Sequence, residues 1–276
     1  MAQPHPVADY RVGRPSSSHY ARRRRAKSSP VMNVTAPAVL ALLAVSAWHL
    51  ATQTQSLPQW VLPSPAQFAS RLLLEIWRSQ TWTAFAWTTY EAALGCLVGA
   101  AIALPLAYLI YRSKVVAAAI EPFLGATQAI PAIALAPLLV LWIGYGTAAI
   151  VALCALMVFF PILLGATLGL RQLDVNVLEA ANLDGAHGLR LLLSIEGPLA
   201  LHAITTGLRN GFTLSITGAV VGEMVMGGTG LGTVLTAQRH AVDTTGMFVT
   251  ITLLCVLAMT IYTALYLFER WWVRQY

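Results

Sequence analysis

The chain has 276 residues, 57% of them hydrophobic and only 10% charged. A soluble domain carries roughly 25% charged residues, so the composition excludes an ordinary soluble protein and points to a membrane. The net charge of +6 belongs to residues 1–31, which hold seven Lys/Arg against one Asp; the ten basic and ten acidic residues that follow cancel.

Residues 1–31 are rich in Pro, Ser, His and Arg and have no apolar period, and are read as a disordered basic tail. The run from Arg22 to Arg25 with Lys27 is read as a flank that holds the start of the first span in the cytoplasm, and no nucleic-acid partner is expected. Residues 34–52 are the first predicted span: too long for a signal-peptide core and without a cleavage site. Residues 53–81 are amphipathic. After Leu62-Pro63-Ser64-Pro65, the residues Pro65, Phe68, Leu72 and Ile76 share one face of a short helix, read as an interfacial segment outside the membrane. Trp77 and Trp82 suit the headgroup belt.

The second span is predicted over residues 82–111, with Gly95, Gly99 and Ala103 forming a small-residue face for close helix packing. Glu91 lies within it, an ionisable group at membrane depth and therefore a candidate gate or interface residue. The third span, residues 117–143, contains Pro122, Pro131 and Pro137 and is read as one kinked helix lining the pathway, with Gln128 as its strong polar group. The fourth span is residues 148–170.

Residues 172–198 interrupt the apolar pattern with Glu179, Asp184, Arg190 and Glu196. Asp174 can cap a helix over 175–183, Asp184-Gly185 is a turn signal, and 187–195 reads as a second short helix stopped by Gly197-Pro198. Such a hairpin buries little surface alone and suits a partner's grip. The fifth span, residues 199–221, is hydroxylated in its middle. Thr213, Ser215 and Thr217 join Gln128 as pathway candidates, each hydroxyl either facing the pathway or bonding its own helix backbone. Arg209 is assigned to the inner end of this span, where it is a candidate tie to the hairpin, and Glu223 to its outer end as a candidate gate. The run 227–232 is glycine-rich but lacks the Gly-Lys-Ser/Thr ending of a phosphate-binding loop, so 224–235 is read as an external turn and short helix. The sixth span is residues 245–268.

Six spans place both termini on one side. Fourteen Lys/Arg then fall in cytoplasmic segments and only Arg71, Arg78 and Arg239 outside, so both termini and the hairpin are expected in the cytoplasm. Cys96, Cys154 and Cys255 are scattered through apolar runs and suit neither a disulfide framework nor a metal site. His187 and His202 are isolated, so no catalytic residue and no metal ligand is expected.

Glu179-Ala180-Ala181, Gly185, Ile195 and Pro198 resemble the EAA loop of permease subunits of bacterial ABC importers, matching six of its seven fixed positions. The departure is Gly197, where the family has Leu. The resemblance extends over residues 62–271. Ile130-Pro131-Ala132, Leu141-Trp142-Ile143-Gly144-Tyr145-Gly146, Phe159-Phe160-Pro161, Gly207-Leu208-Arg209 and Gly222-Glu223-Met224 are similar to permeases of the nitrate/sulfonate/taurine group, to which riboflavin and thiamine-pyrimidine importers are similar.

The resemblance implies an all-α integral membrane protein with six transmembrane helices of the type I ABC importer kind, in a bacterial plasma membrane. It implies a permease domain over 32–276, a second permease subunit making a homodimer, cytoplasmic ABC ATPase subunits that grip the hairpin, and an extracytoplasmic solute-binding protein. ATP and Mg would be used by the ATPase, and this chain would bind no cofactor. A secondary transporter is the rival reading; such folds show inverted repeats and paired intramembrane charges. A membrane-embedded enzyme or an inert scaffold subunit ranks lower.

Overall fold

The computed structural model describes residues 30–53, 58, 60–128 and 131–273. Expectations for the basic tail up to residue 29 and for the side chain of Gln128 fall outside them. Every regular element among the described residues is helical. Residues 1–47 and 48–276 form separate units. The first contains most of α1 (Pro30–Gln53), a 24-residue helix at the position of the first predicted span.

The second unit begins with α2 (Pro65–Ile76). Ser64 accepts a hydrogen bond from the Gln67 backbone, and the Gln67 side chain accepts from Ser64 N–H, forming a capping box with Pro65 in the first turn. Phe68 and Leu72 turn inward, while Leu73, Leu74, Ile76 and Trp77 are exposed, an apolar face suited to lipid.

Four helical stretches among the described residues are long and apolar enough to cross a bilayer. They are α3 (Ser79–Arg112), α6 (Thr147–Arg171), the stretch Gly188–Met226, and α11 (Thr244–Val273). The third predicted span is not one kinked helix. It is divided into α4 (Lys114–Gln128) and α5 (Ala132–Ile143), with Pro131 in extended conformation as the N-cap of α5. Pro131 has no N–H to give to a preceding turn, so it begins a helix better than it continues one.

The core is α6 held between α3 and α9 (Gly197–Met226). Lipid tails are as apolar as leucine, so close contact between spans, and not expulsion from water, drives this packing. Glycines make the contact close. A Cβ at Gly95 of α3 would overlap that of Cys154 in α6, and one at Gly169 of α6 would overlap that of Ala203 in α9. Around these seams Ile150, Leu153, Val158, Ile162 and Leu163 of α6 are fully buried.

α7 (Val175–Leu183) and α8 (Gly188–Leu191) form the polar hairpin, joined by a turn in which Gly185 has φ +84°. The second hairpin helix does not stop at Gly197-Pro198. It runs through a π-turn, Leu192–Glu196, directly into α9. Pro198 sits in the first turn of α9, directly after the π-turn, where the i→i−4 ladder is already interrupted. Beyond α9, a glycine turn leads to α10 (Leu231–His240) and then α11.

Candidate functional site

The hairpin is built to stand clear of the spans. Asp174 caps α7 by accepting from the Asn176 N–H at 2.9 Å. The positive φ of Gly185 sets the turn, a backbone state that other residues adopt at a cost. Glu179, Ala180 and Gly185 are exposed and Pro198 is exposed at the base; Ala181 is buried and Ile195 half-buried. The Glu179 carboxylate has no partner among the described residues. On the same hairpin Val175, Leu183, Leu189 and Leu193 are 63%, 90%, 71% and 73% exposed. A hairpin that exposes four large apolar side chains and one unpaired acid offers a surface that a protein partner can cover.

At the base of the hairpin Glu196 is fully buried, although sequence reasoning gave it no role beyond polarity. Its carboxylate accepts from the Tyr111 hydroxyl at 3.2 Å and pairs with Arg112 at 3.4 Å, both at the end of α3. The π-turn aims it there, and it also accounts for Gly197. The Gly197 N–H bonds Leu192 O, and a Cβ at position 197 would lie 2.8 Å from that oxygen.

Arg209 does not tie the fifth span to the hairpin. It pairs with Glu269 of α11 at 3.0 Å and lies over the Tyr262 and Tyr266 rings at 5.0 and 5.5 Å. His202 meets the other oxygen of Glu269 at 2.8 Å. Thus α9 and α11 are joined near the hairpin end. Arg171 of α6 and Glu121 of α4 form a further pair there.

The other end of the bundle holds a buried acidic cluster. Glu223 is 1% exposed and neither sits in water nor faces an open channel. It accepts from the Thr88 hydroxyl of α3 at 2.7 Å and from the Gly232 N–H of α10 at 2.5 Å. Thr88 in turn accepts from the Leu231 N–H at 2.8 Å. Two otherwise orphaned donors at the start of α10 are thereby satisfied by groups from two spans. A Cβ on Gly230 would overlap the Glu223 carboxylate, which explains the glycine. Glu91 is 2% exposed, and its carboxyl faces Thr147 and Glu223. Glu91 therefore belongs to the same cluster.

The pathway candidates divide. Ser215 is fully buried inside the subunit and donates to Ala92 O of α3 at 2.6 Å, so it ties two spans together. Thr213 is exposed and donates to Arg209 O on its own helix. Thr217 is exposed on the same helix.

Sequence reasoning missed Glu75. It is 8% exposed and bonds Arg71, Arg78 and Thr81, while Arg71 also reaches Asp243 at 3.1 Å. The spacing Arg71-x3-Glu75 on one helix, with Arg78 three residues beyond, was the available signal.

Residues 92–274 match the family described as binding-protein-dependent transport system inner membrane component. The riboflavin transport system permease protein RibX of Chloroflexus aurantiacus is 37% identical over 243 residues, covering 86% of this chain and 88% of that one. The putative aliphatic sulfonates transport permease protein SsuC of Escherichia coli is 27% identical, covering 87% and 91%. In fold the chain is similar to the inward-facing MetNI methionine ABC transporter, with TM-score 0.62 and 19% identity over 69% of this chain and 94% of that one. A polar hairpin between apolar spans, a type I importer fold and a match across most of the chain converge: it belongs to the binding-protein-dependent inner membrane component family and is a multi-pass permease subunit of an ABC importer.

Proposed function

We propose that this permease forms a homodimer whose two hairpins are gripped by cytoplasmic ATPase subunits, and that it imports a vitamin of the riboflavin kind. The observation that supports docking is a hairpin that exposes Glu179 together with Val175, Leu183, Leu189 and Leu193. With the hairpin on the cytoplasmic side, both termini lie in the cytoplasm, as the Lys/Arg distribution favours. Hydrolysis of ATP with Mg belongs to the partner; this chain contributes no ATPase site and binds no cofactor. A solute-binding protein delivers the substrate outside.

The substrate reading rests on identity across most of the chain to a permease whose name states riboflavin transport. A sulfonate is the second reading, supported by the lower but equally extensive similarity to a sulfonate permease. Uptake decides between them. Cells unable to make riboflavin, expressing the permease with its ATPase and binding protein, are expected to accumulate labelled riboflavin and not labelled taurine. Taurine uptake with no riboflavin uptake contradicts the vitamin reading.

A further inference from the structure

We propose that Glu196 is a positioning residue, a strut that passes movement of the hairpin to α3 through Arg112 and Tyr111. The inference rests on the reading that an ATPase docks on the hairpin.

The chain joins the hairpin to the bundle at both ends, and on the α9 side a side-chain contact is added to it. On that side the chain runs through the π-turn Leu192–Glu196 into α9. A π-turn is a single wide turn inserted in an α-helix, and it is one of the places where helices kink. The side-chain contact spans this joint. Glu196, within the turn and fully buried, reaches across to Tyr111 and Arg112.

The receiving side is rigid. The Arg112 Nε donates to the Tyr108 hydroxyl at 3.0 Å, and its guanidinium lies over the Tyr108 and Tyr111 rings at 5.4 and 5.8 Å. Three residues of the last turn of α3 thus form a seat for one carboxylate. A charge-assisted contact to a buried acid is stronger than a neutral one and is costly to leave half-made.

Beyond the seat, α3 is one helix of 34 residues, about 50 Å long at 1.5 Å per residue, and it continues through Pro105 without a break. Its far part holds Thr88 and Glu91, the residues that meet Glu223 and the start of α10. A shift delivered at Arg112 therefore reaches the glycine turn at the opposite end along one element, the rigid-body kind of transmission. Neither Arg209 nor Arg171 does this, because their acids lie on α11 and α4.

The experiment uses the permease co-expressed with its ATPase subunits and reconstituted in lipid. Thr229, exposed in the far turn, is replaced by Cys in a Cys255→Ala background, since Cys96 and Cys154 are buried. Maleimide labelling of that site is timed with and without trapping by ATP and vanadate. Co-purification of the ATPase and its hydrolysis rate are read on the same samples. The parent is expected to bind the ATPase and to change its labelling rate about tenfold on trapping.

Glu196→Gln and Arg112→Gln are each expected to bind the ATPase and hydrolyse ATP as the parent does, with the labelling change reduced below about twofold. The double variant is expected to be no worse than either single one, and Arg112→Lys to keep part of the change. Retention of the full change in both single variants, or losses that multiply in the double, would overturn the strut. If the charge-removing variants fail to accumulate, Tyr111→Phe decides, since it removes one hydroxyl without unpairing a charge. A reduced change supports the strut, and an unaltered one overturns it. Recovery of no ATPase by the parent overturns the docking reading itself, and the strut with it.

Discussion

Gly95→Ala is expected to lower the midpoint of thermal unfolding in detergent by roughly 10 °C, although it adds one methyl group. The new Cβ would overlap the Cβ of Cys154 and lie 3.2 Å from Val151 O, so α3 and α6 must separate along the most buried seam of the subunit. Overpacking of this kind costs about 1–3 kcal/mol when side chains can adjust, and more where the obstacle is another helix backbone. The pairing also predicts its own repair. Cys154→Gly removes the overlapping atom, at the cost of roughly 0.3 kcal/mol of helix propensity and the Sγ contact to Ser215 O. Gly95→Ala with Cys154→Gly is expected to recover more than half of the lost midpoint. A double variant no more stable than Gly95→Ala would mean that the α3–α6 seam is not where that methyl does its damage.

Glu223→Ala is the second large effect. It leaves the buried Gly232 N–H without its acceptor and the Thr88 hydroxyl with only Ala84 O, 3.2 Å away, and empties the space that Gly230 keeps clear. Two hydrogen bonds to a carboxylate at about 1.5 kcal/mol each place the loss near 3 kcal/mol. The damage should be local before it is global. Amide exchange at Leu231 and Gly232 is expected to rise, and the turn at 227–230 to become the first point of proteolysis. Thr217→Ala, at an exposed position on the same helix, should leave both unchanged. Unaltered exchange in Glu223→Ala would show that this carboxylate does not hold the start of α10.

The second, fourth, fifth and sixth expected spans were legible because a run of some twenty apolar residues has one stable arrangement in a bilayer; the third is two shorter helices. Prolines were harder. Pro131 starts a helix where a kink was expected, and Gly197-Pro198, read as a stop, lies inside a continuing helix. Proline fixes φ and removes a donor, which fits a first turn as well as a break, and only the neighbouring turns decide. The capping box at Ser64 and Gln67 is readable from its Ser-x-x-Gln spacing alone.

The candidate site was half legible. The turn at Gly185 and the cap at Asp174 are local, so the sequence holds all of their causes. The partners of Ser215, Arg209 and Glu223 lie on α3, α11 and α10, and no local pattern states which face of α9 meets them. Glu196 was hidden for the same reason: its inward aim comes from one extra residue in a turn.

The central claim is that the hairpin is where ATP hydrolysis by a partner acts on this permease. Glu179→Arg tests it most directly, since the residue is exposed and its carboxylate has no partner within the described residues, so reversal should leave the spans inserted. Membranes from cells expressing the ATPase with either permease would be solubilised and the bound ATPase measured. Wild type is predicted to recover the ATPase and Glu179→Arg to lose at least about nine-tenths of it, the tenfold change that 1.4 kcal/mol produces. Equal recovery by both would contradict docking at Glu179.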